Sequence, residues 1–180
     1  MRSHFRNPAA ATVFLCGLTF AQRPASPDEI KAMDFTVLPT GAGLPVGHGD
    51  AVRGHVVYDQ KCQECHGLHG EGQSGKYPAL VGGAGSLKSI NPVKTVGSYW
   101  PYSTTLFDYI RRAMPYDHPR SLSPDDVYSV ASYVLFMNGI IGEHDTMNEK
   151  TLPQVKMPNR DGFVPDPRPD VKPKPDVKAK

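Results

Sequence analysis

The sequence predicts an all-α fold: about three to four helices around one covalently bound cofactor, with extended N- and C-terminal arms. Three observations predict it. Val127, Val130, Ala131, Val134 and Leu135 recur at helical spacing behind a Ser123-Pro124 start. A Cys-x-x-Cys-His string, Cys62-Gln63-Glu64-Cys65-His66, follows directly on a second helical stretch. Gly and Pro together supply 35 of the 180 residues, so much of the chain is turn or arm. A loop-rich chain buries little apolar surface per residue, and a large bound group acting as core helps it fold.

Taken in order, residues 1–21 read as a secretory signal. Arg2 and Arg6 give a positive start, Ala9 to Phe20 is apolar, and Thr19-Phe20-Ala21 offers small residues for a cut near Ala21. The alternative is a buried N-terminal helix. Cys16 lacks a lipoprotein-type setting, and no later apolar stretch is long enough to cross a membrane. The expected location is therefore periplasmic. Without Arg2 and Arg6 the chain holds 18 Lys/Arg against 18 Asp/Glu. The charge is uneven: residues 22–149 carry ten basic and fourteen acidic groups, residues 150–180 eight and four. No basic stripe marks the body, which excludes a nucleic-acid binder. The basic tail reads as solvated, or as a dock for an acidic surface.

Residues 22–49 are a Pro/Gly-rich arm with one short helical turn near Asp28–Met33, expected on the surface or against a partner. A domain is expected over 50–142. Its first helix covers about Asp50–Lys61, with Asp50 as N-cap. Residues 67–102 form a glycine-rich excursion, a length that in a compact domain usually carries function. The next helix starts near Ser103–Thr105 and is ended by Pro115. The last is capped by Ser123, opens on Pro124 with Asp125 and Asp126 at its positive end, and stops at Asn138-Gly139. Residues 143–180 form a C-terminal extension: 143–162 show no periodicity, and the Pro/Asp/Lys-rich stretch from Val164 is an extended tail.

The five-residue string carries the chemistry. Two thiols three residues apart at a helical turn can each bond one vinyl group of a haem, and the next residue offers an imidazole to its iron. The expected cofactor is one covalent haem c, on Cys62 and Cys65, with His66 on the metal. A redox Cys-x-x-Cys pair would want a βαβ setting, which is missing. A zinc site needs a fourth ligand, from His69 or His55. A disulfide across so short a loop would constrain little. Met114, between a helix and Pro115, is the candidate sixth ligand, and His118 is its rival. Met137 reads as core, while Met147 and Met157 lie in the extension. A thioether favours ferrous iron and raises the potential. Pro78 is the candidate carbonyl for the second ring nitrogen of His66. Tyr99, Trp100, Tyr102, Arg111 and Arg112 are the candidate donors to the haem propionates. No catalytic constellation is visible.

These residues resemble a known family. Cys62 to Gly67, Pro78-Ala79-Leu80, Ala113-Met114-Pro115 and the Leu122-Ser123 helix start stand in the order of a class I cytochrome c domain, over Gly54 to Gly142. The resemblance implies the class I cytochrome c fold, first and last helices crossed beside the haem, and His66/Met114 ligation. A narrower likeness exists. Thr95 to Tyr102, Thr104 to Pro115, Gly43 to Gly47 and Lys156 to Phe163 are similar to monohaem cytochrome c subunits of sulfite and sulfur (sulfane) dehydrogenases. In that group the cytochrome accepts electrons from a molybdenum-containing catalytic subunit and passes them to another cytochrome c. Some members are longer and carry two haems, whereas this chain has one motif. A freely diffusing carrier serving an oxidase is the second reading, and an open-site haem enzyme or sensor the third.

Overall fold

The computed structural model describes residues 23–168 and 170. The signal expected over 1–21, Cys16 and the last ten residues lie outside this range. The chain forms two units, residues 1–34 and 35–180. In the first, helix α1 (Pro27–Met33) opens with a capping box: Ser26 accepts from the Glu29 N–H, and the Glu29 carboxylate accepts from the Ser26 N–H.

The regular structure of the second unit is mostly helix, joined by long turns and loops. Its helices are α2 (Ala51–Lys61), a one-turn α3 (Gln63–His66), α4 (Ser103–Ala113) and α5 (Pro124–Met137). The caps are those the sequence predicts. Asp50 accepts from the Arg53 N–H at the head of α2, and Ser123 accepts from the Asp126 N–H at the head of α5. Helix α5 is the central element, buried from Val127 through Leu135. It is crossed by α2 at Gly54, where a Cβ would collide with the Ser129 carbonyl oxygen. Only a residue without a side chain permits this approach. Arg53 and Asp126 tie the same crossing by an ion pair of 2.9 Å. Helix α4 meets α5 through Phe107 and Tyr128, with ring centroids 4.5 Å apart.

Both segments flanking the helices close the body, which the sequence reading did not anticipate. The 35–49 stretch, expected on the surface or against a partner, packs on α4 and α5. Val37 is buried and its N–H donates to Asp108 Oδ1 at 3.1 Å. The Tyr128 hydroxyl donates to the Pro45 carbonyl at 2.9 Å. Two short strands, β1 (His48–Gly49) and β2 (Met147–Asn148), pair antiparallel and join the extensions to each other. Met147, Leu152 and Met157 are all buried, and Ser103 Oγ donates to the Leu152 carbonyl at 2.6 Å. Among the described residues, no helix is long and apolar enough to cross a membrane.

Candidate cofactor site

Helix α2 delivers the site. It ends at Cys62, whose N–H still bonds the Tyr58 carbonyl at 2.8 Å, and α3 then carries Cys65 and His66 around one turn. The Tyr58 hydroxyl donates to the Gly67 carbonyl at 2.7 Å, pinning the chain where it leaves the site. Burial raises the pKa of Tyr58, so the phenol stays a donor.

The glycine-rich excursion then folds back on His66. Gly72 N–H donates to the His66 carbonyl at 2.7 Å, and Leu80 N–H to the Gly70 carbonyl at 2.7 Å. Gly72 sits at φ 72°, and a Cβ there would lie 2.7 Å from the Pro78 carbonyl carbon and 2.6 Å from the Ala79 nitrogen. The glycine thus lets residues 77–79 pass close enough to set the Pro78 oxygen 3.1 Å from His66 Nδ1. A carbonyl can only accept, so this is a hydrogen bond in the tautomer protonated at Nδ1. That tautomer leaves the Nε2 lone pair for a metal.

Further along, side chains hold the excursion. Thr95 Oγ1 donates to the Gly82 carbonyl at 2.6 Å and Ser98 Oγ to the Val93 carbonyl at 2.7 Å. Asn138, at the end of α5, donates through Nδ2 to the Leu80 carbonyl at 3.1 Å and to the Val134 carbonyl at 2.8 Å. It anchors the segment bearing Pro78 to the central helix. The sequence marks Asn138 only as a helix stop; an amide in place of glycine at that position was the available signal.

Cys62 and Cys65 are free and half-buried. Burial, and after it the neighbouring Cys65, pushes the Cys62 thiol up to about 12. A catalytic redox pair needs the opposite, a thiol made acidic by its surroundings. Among the described residues no three His, Cys, Asp or Glu side chains are placed to hold a metal ion together. Met114 caps α4 in extended conformation and is half-buried against the core that Cys62, Leu80 and Trp100 also touch. His118 is 75% exposed and pairs with Asp117 at 2.9 Å, pointing its imidazole to solvent. The residues of the Cys-x-x-Cys-His turn fit a covalently held haem: two free thiols one turn apart and an imidazole engaged at Nδ1.

Each candidate propionate donor has a protein partner. The Tyr99 ring meets Phe163 edge-on at 5.2 Å and Lys94 Nζ at 5.1 Å, while its carbonyl accepts from Asn159 Nδ2 at 2.7 Å. Trp100 meets Tyr109 edge-on at 5.8 Å. Tyr102 lies under the Arg160 guanidinium at 4.3 Å. Arg111 lies over Phe35 at 5.2 Å, and Arg112 pairs with Asp108. Asp108 and Arg160 escaped the sequence reading. Their signals were the i,i+4 spacing of Asp108 and Arg112 for the first, and none for the second.

Comparison with known proteins identifies the family. Residues 49–134 match the family "Cytochrome C oxidase, cbb3-type, subunit III". The fold superposes on a chain of the sulfane dehydrogenase SoxCD from Paracoccus pantotrophus with a TM-score of 0.76 and 38% identity, covering 90% of this chain and 83% of that one. The protein belongs to the c-type cytochromes related to sulfur dehydrogenases. Membership implies a covalently bound haem c and a role in electron transfer. This cytochrome is also similar to the thiosulfate dehydrogenase of Thiomonas intermedia (strain K12), 38% identical over 111 residues or 59% of this chain. The thiosulfate dehydrogenase of Allochromatium vinosum is 31% identical over 129 residues, 62% of this chain. The cytochrome spans only 32% and 44% of those two proteins' lengths.

Proposed function

We propose that this protein is a periplasmic, single-haem electron-transfer subunit with class I His66/Met114 ligation. It accepts electrons from a molybdenum-containing dehydrogenase acting on sulfite or another sulfur compound, and delivers them to a further cytochrome c. One observation carries the reading of the partner. The likeness to the sulfane dehydrogenase chain covers 90% of this chain. The match to the thiosulfate dehydrogenases covers about three-fifths.

The chain's own described residues fill an electron carrier's needs. Cys62 and Cys65 are both committed to cofactor attachment, which leaves no described cysteine to hold molybdenum. Pro78 fixes the orientation of His66 through Nδ1 and raises its basicity as a ligand. Met114 supplies a neutral thioether that favours the reduced metal. When bound, haem supplies a one-electron iron couple. Substrate chemistry belongs to the partner.

The packing of the extensions favours a second reading. Val37, Leu152 and Met157 are buried in this chain's own body. These segments therefore need no partner to cover them, as in a freely diffusing carrier serving an oxidase. Purification of the tagged, haem-loaded chain from its native host separates the two. A stable complex containing molybdenum, with haem reduced on adding sulfite or another sulfur substrate, supports the first. A lone monomer without molybdenum refutes it.

A further inference from the structure

We propose that Phe35 is a positioning residue for Met114, its ring fastening the loop that carries the thioether. The proposal rests on the His66/Met114 ligation proposed above. On one side Met114 is held by its own helix, its N–H bonding the Ile110 carbonyl at 3.0 Å, and it is half-buried against the core. On the other side, residues 116–121 are exposed, so burial does not fix them. Two short-range bonds, His118 N–H to the Pro115 carbonyl and Ser121 N–H to the His118 carbonyl, shape the loop's turns without tying it to the body.

The tie runs through Arg120. Its guanidinium lies over the Phe35 ring at 4.5 Å, and that of Arg111, three residues before Met114, lies over the same ring at 5.2 Å. One ring thus joins two cations that bracket the ligand in sequence. Arg120 also stands at φ 65°, a left-handed backbone that a residue with a side chain keeps only when its surroundings over-determine it. Phe35 in turn is fixed from behind. Two residues on, the buried Val37 donates its N–H to Asp108, the carboxylate that also pairs with Arg112. The contacts form a closed path from α4 through Asp108, Val37 and Phe35 to Arg120, around Met114.

A thioether is a weak neutral ligand, so its occupancy depends on how firmly its loop is held. A competitor for the iron reads that directly, because its apparent affinity scales with the fraction of molecules whose loop is open. The test titrates the full-length, haem-loaded ferric protein with imidazole. F35L keeps bulk without the ring's charge distribution, R120Q removes the cation from an exposed position, and F35Y keeps the ring. F35L and R120Q are expected to bind imidazole about fivefold more tightly, the value of one exposed cation–ring contact. F35Y should stay within about twofold of the unaltered protein. The weak long-wavelength absorption of a methionine-bound ferric haem should fade in parallel. Should F35L fail to mature, R120Q against R120K decides. Unchanged imidazole affinity in R120Q and F35L, with the sulfur absorption intact, overturns the clamp alone. Absence of that absorption in the unaltered protein, or its persistence in M114A, overturns the ligand assignment and the clamp with it.

Discussion

Replacing Gly54 by Ala sets two effects of known sign against each other. In an isolated helix the change would stabilise by roughly 1 kcal/mol, because glycine loses more backbone freedom on folding. Here the new methyl would overlap the Ser129 carbonyl oxygen and lie 2.8 Å from Tyr133 Cβ. Neither neighbour can rotate away, since one is backbone and the other the first atom of a buried side chain. Relief requires α2 and α5 to separate, and overpacking of this kind costs about 1–3 kcal/mol. With a backbone obstacle the upper half of that range applies. The net is a loss of about 1–2 kcal/mol, a factor of roughly 5–30 in the folded-to-unfolded ratio. Urea unfolding of the haem-loaded protein, followed by far-UV circular dichroism, measures it. A G54A protein as stable as its parent, or more so, would refute the close crossing. The site is implicated as well, because Cys62 lies about 12 Å further along the same rigid helix.

Four further outcomes follow from the packing and the site. L152A, which empties a fully buried position in the C-terminal extension, should cost about 2–5 kcal/mol in the same assay. The Arg53 guanidinium holds the Asp126 carboxyl below its ordinary value, so this pair stabilises above the usual carboxylate range and the effect is lost as pH falls. D126N should therefore be less stable than its parent by about 0.2–1 kcal/mol at neutral pH, and the gap should close as pH falls below the usual carboxylate range. G72A should push the Pro78 oxygen off His66 and raise the reduction potential by tens of millivolts, on a scale of about 59 mV per tenfold, in a redox titration. M114H, by replacing a thioether with an imidazole, should lower that potential by roughly 0.1 V or more.

The helices and the turn that carries Cys62, Cys65 and His66 were legible because both are local. Asp50, Ser123 and Pro124 announce helix starts within three residues of the bonds they make, and Cys62 through His66 is one unbroken string. Even the pairing of Pro78 with His66 spans only 12 residues. What stayed hidden depends on distant partners. Val37 meets Asp108 across 71 residues, and Ser103 meets Leu152 across 49. The strands β1 and β2 are two residues each, too short to show any alternation. Leu152 and Met157 sit among prolines and charges, where no periodicity marks them as core. Tyr102 and Arg160 pair only because the extension returns over the start of α4.

That return changes the argument about partners. Long segments without a core of their own suggest wrapping around another protein. Here residues 35–49 and 143–157 already have a core, supplied by α4 and α5 of the same chain. Their length alone therefore says nothing for a complex. Apolar side chains stay open elsewhere on the surface: Val46, Ile90, Tyr116 and Val164 are more than 80% exposed, and Leu68 beside the attachment site is half exposed. L152A and R120Q address different layers of this arrangement. The first loosens the extension as a whole; the second alters the Met114 loop and leaves the core intact. If the extensions serve only to complete the body, L152A should lower stability while the imidazole affinity of the folded fraction stays unchanged. If they also set the geometry around Met114, that affinity should rise together with the loss of stability, and the two roles would be one.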